Sequence, residues 1–113
     1  MNGDVKPLAR KGQFMKNIVL ICAAGMSTSM LVTKMEKAAA EEGYECHIQA
    51  YAVNEAPTVI PTADVVLLGP QVRFNLKTFR LQFPDKKIEL IDMQLYGTMN
   101  GKAVFDFAKK TIG

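Results

Sequence analysis

The residues of this chain with the clearest chemical potential are a cysteine and three hydroxyl residues shortly after it. Cys22 follows the apolar run 18–21, and Ser27, Thr28 and Ser29 open a helical pattern. A thiol near a helix N-terminus lies where backbone N–H groups converge, which lowers a cysteine pKa and favours phosphate binding. The pattern therefore predicts a nucleophilic sulfur that carries phosphate. The alternative interpretation is that Cys22 is a small buried hydrophobic residue.

The segment after Cys22 has the properties of a phosphate-binding loop. Its small residues let the backbone wrap closely around an anion, and its successive N–H groups and hydroxyls can donate to phosphoryl oxygens. Met26, in its middle, is expected either to contact a partner protein or to pack within the loop. The predicted loop consists of Ala23, Ala24, Gly25, Met26, Ser27, Thr28 and Ser29.

The spacing matches that of phosphatase loops, in which a cysteine is followed after five residues by an arginine, but Thr28 occupies the arginine position. That arginine clamps the phosphate and stabilises the transition state of hydrolysis. A cradle of neutral donors can hold a phosphocysteine while giving less help to an attacking water, so a phosphate relay is favoured. A low-molecular-weight phosphatase or an arsenate-reductase-like enzyme using the same cysteine is the alternative. A flavin-binding or receiver-type module is a third class; Gly69 replaces the acidic residue that a receiver needs.

The pattern from residue 14 onward alternates strands and helices and predicts a single α/β domain. Ser27 or Thr28 is expected to cap the first helix, and residues 92–98 are expected to form a loop. Because the first and third strands are the most apolar, they should be central in a three-layer sandwich with a parallel sheet of order 2-1-3-4. The predicted strands are 17–21, 44–53, 64–68 and 88–91, and the later helices are 71–83 and 102–112.

Ligands of such folds bind at the carboxyl ends of the strands, where Cys22, Gln71 and Asp92 should meet. Gln71 is expected to donate to the phosphate or a partner, or to be solvated. Asp92 stands where a phosphatase would place its general acid. Because a negative charge beside phosphocysteine is unfavourable, a structural cap or a partner contact is expected instead. Tyr96 is expected to pack, or to line the same rim.

Composition limits the remaining possibilities. The 113 residues, 49% hydrophobic and 22% charged, suit one domain, with residues 1–13 predicted as a flexible tail, linker or tag remnant and 14–113 as the folded part. The net charge of +3 includes no basic run, which argues against nucleic-acid binding. No apolar stretch approaches about 18 residues and no signal sequence is visible, so a cytoplasmic protein without membrane insertion is expected.

Other residues are assigned structural positions. Cys22 and Cys46 should lie about four residues or 13 Å apart along neighbouring strands, too far for a disulfide. Met30 and Met35 are expected in the core. His47 is expected on the solvated face of an edge strand, and without a cluster of ligating residues no metal or cofactor is expected.

Three segments carry a resemblance to a known family. They are IVLICAAGMSTSML (18–31), ADVVLLGPQ (63–71) and ELIDMQLYG (89–97). In this order and spacing they resemble the IIB component of the bacterial phosphoenolpyruvate-dependent sugar phosphotransferase system, lactose/cellobiose/diacetylchitobiose type, over about residues 16–113. That family is similar in fold to low-molecular-weight tyrosine phosphatases.

The resemblance implies a role for Cys22 in sugar uptake. Its sulfur would accept phosphate from a phosphohistidine on the IIA component and pass it to a sugar, a β-linked disaccharide, bound by the membrane-embedded IIC component. The residues 23–29 would be the phosphate loop, and IIC would recruit the domain to the inner face of the membrane. Because IIC binds the sugar, this sequence does not identify it. Some members are fused to IIC, so residues 1–13 could be the end of an interdomain linker.

Overall fold

The computed structural model describes residues 15–23 and 25–113, without the side chains of residues 25–27. The predicted tail, 1–13, lies outside the described residues. Short 3₁₀ segments flank the second helix (Val53–Glu55, Ile60–Thr62) and precede the third (Pro70–Asn75). In chain order the main elements are β1 (Lys16–Cys22), α1 (Gly25–Glu42), β2 (Cys46–Ala52), α2 (Ala56–Val59), β3 (Val65–Leu68), α3 (Leu76–Gln82), β4 (Ile88–Leu90), α4 (Met93–Gly97) and α5 (Gly101–Ile112).

The four strands form one parallel sheet with the order β2-β1-β3-β4, as predicted. β1 and β3 are central because their side chains are apolar and almost completely buried, which suits strands covered on both faces. β2 lies at one edge and alternates between exposed and more buried residues. The carboxyl ends of β1 and β3 are adjacent, since Ile21 is opposite Leu68.

The two faces of the sheet carry separate apolar cores, which makes the predicted three layers. One core joins the sheet to α1 and α5; among its buried residues are Ile18, Leu20, Met35, Leu67, Val104 and Phe105. The other covers the opposite face, with Val19, Ile21, Ile60, Leu68, Val72 and Phe79. Because side chains alternate along a strand, Cys22 lies on the same face as Ile18 and Leu20, toward α1.

Two expectations about helices are wrong. α1 begins at Gly25, so residues 27 and 28 lie inside the helix and not at its N-cap position. The segment predicted as the loop 92–98 contains α4, which forms because Leu95 and Tyr96 pack against the core beside α1 and α5. Local capping preference and loop composition carried no information about these tertiary contacts.

The expectation for Met30 is also wrong. Its side chain is 56% exposed, whereas that of Met35 is buried as predicted. A separation of five residues rotates the two side chains away from a common helix face. The cysteines are unpaired, as expected, but Cys46 is opposite Lys16, six residues from the level of Cys22, or about 20 Å along the strand.

Candidate functional site

Cys22 ends β1 at the carboxyl edge of the sheet and is only 2% exposed. Gly69, directly after β3, lies against it, and the Gly69 N–H donates to the carbonyl oxygen of Ile21 at 2.9 Å. A Cβ atom at Gly69 would lie 2.8 Å from Sγ of Cys22. The backbone can pass this close to the sulfur only because residue 69 has no side chain.

A cluster of polar side chains surrounds the sulfur. Thr28, fully buried in the first turns of α1, has its Oγ1 3.0 Å from the hydroxyl oxygen of Tyr96 in α4. Nε2 of Gln71 donates to the same Tyr96 oxygen at 3.1 Å. The hydroxyls of Thr28 and Tyr96 are also within hydrogen-bonding reach of the Cys22 sulfur. The structure therefore brings together Cys22 and three of the predicted site residues, although they come from four separate parts of the chain.

The sulfur does not have the low pKa that the sequence suggests. Burial raises the pKa of the Cys22 thiol above its ordinary value, and hydrogen bonds from the Thr28 and Tyr96 side chains and from the Gly69 backbone offset only part of this effect. The thiol is therefore protonated at neutral pH. Hydrogen-bond donors are present beside the sulfur, but the cost of desolvating a thiolate at the end of a central strand is larger than their effect.

Asp92 does not join the cluster around the sulfur. It occupies the N-cap position of α4 but makes no side-chain capping hydrogen bond, and it is exposed. It lines an apolar cavity of about 340 Å³ together with Pro70, Met93 and Leu95. Within the described part of the chain, its carboxylate takes no part in the side-chain hydrogen bonds that join Thr28, Gln71 and Tyr96.

The predicted loop is described only in part. Ala23 is exposed, and Ser29 is exposed and lines a groove between α1 and β2. Ala24 lies outside the described residues, as do the side chains of Met26 and Ser27. The predicted contacts of these three residues with a phosphate stay predictions. The same is true of the predicted contact of the Gly25 backbone, which lies at the start of α1.

Gly69 is the site residue whose importance the sequence alone does not reveal. It is recognisable there only as a turn residue after the third strand. The available signal is its position, because a glycine in a strand pattern often marks a place where a ligand or another backbone approaches closely.

Outside this cluster, the described part of the chain offers no group of three or more His, Cys, Asp or Glu residues placed to hold a metal ion. His47 is exposed on β2, as predicted, and lies opposite Asn17, near the other end of the sheet from Cys22. Across the described ranges, no helix combines the length and apolar character needed to cross a membrane.

The fold and the site define a class of protein: a parallel α/β domain with a buried thiol at the switch point of its sheet. The family model for the lactose/cellobiose-specific IIB subunit of the phosphotransferase system (PTS) matches residues 17–107, and the chain belongs to that family.

Individual relatives agree with this assignment. The oligo-β-mannoside-specific EIIB component of Bacillus subtilis is 42% identical over 97 residues, covering 83% of this chain and 93% of that protein. The solution structure of a cellobiose-specific IIB component from Borrelia burgdorferi is 43% identical, with a TM-score of 0.73 over 87% of this chain and 92% of that one. The lactose-specific EIICB component of Lactococcus lactis is 28% identical over 75 residues, which cover 66% of this chain and 13% of that protein.

Proposed function

We propose that this domain is a phosphocarrier in sugar uptake, in which Cys22 accepts a phosphoryl group from a phosphohistidine on a IIA component. The sulfur then passes the group to a sugar bound by a membrane IIC component. The observation that carries the proposal is the position of the Cys22 sulfur at the carboxyl edge of the sheet, among neutral hydrogen-bond donors. These donors are the hydroxyls of Thr28 and Tyr96 and the Gly69 backbone.

The chemistry balances with a protonated thiol. In the first step the N–P bond of the phosphohistidine breaks, the S–P bond to Cys22 forms, and the thiol proton goes to the leaving imidazole. In the second step a sugar hydroxyl attacks phosphorus, the S–P bond breaks, and the hydroxyl proton returns to sulfur. Because burial raises the pKa of Cys22, the sulfur left by the second step is stable as a neutral thiol.

The same surroundings argue against efficient hydrolysis. A phosphatase of this loop type uses an arginine to stabilise the transition state and an acid to protonate the leaving group. Here Thr28 stands at the arginine position and is fully buried against Tyr96, and Asp92 is not part of the cluster around the sulfur. A phosphoryl group on Cys22 would therefore persist long enough to be transferred.

The partner assignments rest on the family and on the relatives. The EIICB relative joins a IIB-like portion to a longer chain, which supports IIC as the acceptor component. The exposed Met93 and the apolar cavity beside Pro70 border the site, and apolar surface at such a place suits protein docking. The domain would act in the cytoplasm at the inner face of the membrane. The relatives are named for different sugars, so the transported sugar is left open.

The test is phosphate labelling with a matched control. The chain is incubated with phosphoenolpyruvate labelled on phosphorus, the general enzymes of the system and a IIA protein. We expect label on the wild type and on Cys46→Ala, and none on Cys22→Ala. An unlabelled wild type, beside a IIA protein that is itself labelled, would contradict the proposal. Hydrolysis of p-nitrophenyl phosphate that Cys22→Ser abolishes would favour the phosphatase alternative.

A further inference from the structure

The hydroxyl of Tyr96 is the point where the polar contacts around Cys22 meet. Its oxygen accepts a hydrogen bond from Nε2 of Gln71, lies 3.0 Å from Oγ1 of Thr28, and is within hydrogen-bonding reach of the Cys22 sulfur. A phenol oxygen carries one hydrogen. Because the Gln71 amide already donates to this oxygen, the single hydrogen of Tyr96 is left for Thr28 or for the sulfur.

The orientation of the Gln71 side chain is constrained as well. Its Oε1 occupies the space beside Gly69, where an added Cβ atom would come within 2.7 Å of it. The amide group therefore lies along the backbone that contacts Cys22, with Nε2 toward Tyr96. The absence of a side chain at Gly69 thus leaves room for both the sulfur and the amide.

We propose that Gln71 and Tyr96 form a directional hydrogen-bond relay, in which the Gln71 amide orients the Tyr96 hydroxyl so that it donates to the sulfur of Cys22. Tyr96 is then a positioning residue for the thiol. Its effect on the thiol stands by itself. Its effect on a phosphoryl group rests on the proposed function, because the same hydroxyl would donate to a phosphoryl oxygen once the sulfur carries phosphate.

The relay makes a prediction that simple packing does not. A donor to sulfur stabilises the thiolate, so its removal must raise the pKa of Cys22 further, whereas loss of a packing contact need not. Gln71 acts through Tyr96, so its removal should have an effect only while the Tyr96 hydroxyl is present. Tyr51 offers a matched control, because its hydroxyl bonds to Gln49 and its ring packs on the opposite face of the sheet.

The experiment measures the rate of Cys22 alkylation by iodoacetamide against pH, in a Cys46→Ser background. The midpoint is the pH at which the alkylation rate is half its maximum. We expect Tyr96→Phe to raise this midpoint by about half a pH unit or more, and Gln71→Leu to raise it less. The double variant should match Tyr96→Phe alone, and Tyr51→Phe should match the parent protein. The folded state of each variant is checked by circular dichroism.

The outcomes separate this relay from the proposed function. A Tyr96→Phe midpoint equal to that of the parent would overturn the relay, even if Cys22 is labelled with phosphate. A shifted midpoint in a protein that no IIA component can label would support the relay and contradict the phosphocarrier function. If Tyr96→Phe does not fold, an unchanged midpoint in Gln71→Leu would overturn the relay instead.

Discussion

Gly69 and Cys22 are in direct contact, and the contact leaves no room for a side chain at residue 69. An added Cβ atom would lie 2.8 Å from Sγ of Cys22, closer than such atoms approach in proteins. Gly69 directly follows β3 and Cys22 ends the neighbouring strand β1, so the pairing of the two strands holds their backbones close together. The position of the sulfur is therefore set by the absence of a side chain on the adjacent strand.

Gly69→Ala should displace both the Cys22 sulfur and the Gln71 amide, and should lower phosphate acceptance by Cys22. Overpacking at such a contact costs about 1–3 kcal/mol, and the displaced thiol would lose its alignment with Thr28 and Tyr96. Labelling of Cys22 by a IIA protein and urea unfolding measure the two effects. Gly97→Ala is the control, because an added Cβ there meets nothing within 4 Å. If Gly69→Ala and Gly97→Ala accept phosphate and unfold alike, the close contact between Gly69 and Cys22 controls neither phosphate acceptance nor stability.

Thr28→Val should weaken the folded state and raise the pKa of Cys22 further. Valine keeps the shape of threonine but removes a buried hydroxyl that bonds to Tyr96 and Cys22, a loss of about 1–2 kcal/mol. Thr33→Val, in the same helix, removes an exposed hydroxyl that bonds only one turn back, to the Ser29 carbonyl at 3.1 Å. The difference between their urea midpoints isolates the buried contact. Equal midpoints would show that the Thr28 hydroxyl adds no stability.

The stability of the protein should fall above pH 9 in a way that depends on Cys22. The folded thiol has a pKa above the ordinary 9.0. The stability that the thiol contributes is therefore complete below its pKa in the unfolded state. It is lost as pH rises through its pKa in the folded state. Relative to Cys22→Ala, the wild type should lose unfolding free energy in urea titrations as pH rises above about 9. Because both proteins contain Tyr44 and Cys46, which also have raised pKa values, their difference reports Cys22. A difference that is constant with pH would contradict the effect of burial.

The sheet and the meeting of Cys22 with Gln71 could be predicted from the sequence. Apolar runs at 18–21 and 65–68 identify the central strands, and parallel strands bring their carboxyl ends to one edge. These inferences need only local patterns and a general rule of topology. The order of the strands followed for the same reason, because burial on both faces requires a continuous apolar sequence.

The properties of the site that depend on distant contacts could not be predicted. Thr28 is favourable as a helix cap, but its hydroxyl contacts Tyr96, 68 residues later, and the helix begins before it. The direction of the Cys22 pKa shift depends on how completely α1, α4 and Gly69 exclude water from the sulfur. Short-range sequence patterns contain no information about the contact between Thr28 and Tyr96 or about the exclusion of water from the sulfur.

Gly101→Ala should destabilise the protein without changing the chemistry at Cys22. Gly101 begins α5 against α1, and an added Cβ would clash with Cβ of Lys34 and lie 2.8 Å from the backbone nitrogen of Met35. Because a helix backbone cannot yield as a flexible side chain can, α5 must move away from the core that Met35 and Val104 share. We expect the unfolding free energy to fall by about 2 kcal/mol or more.

Urea unfolding measures that loss, again with Gly97→Ala as the control, and phosphate labelling at low temperature measures the chemistry of the folded fraction. Gly101→Ala should label as completely as the wild type, because the helix contact at Gly101 is separate from the residues that hydrogen-bond the sulfur. An unfolding midpoint equal to that of Gly97→Ala would mean that α1 and α5 separate easily. Loss of label in a folded Gly101→Ala protein would mean instead that the packing of α5 governs the position of Tyr96, whose helix directly precedes it.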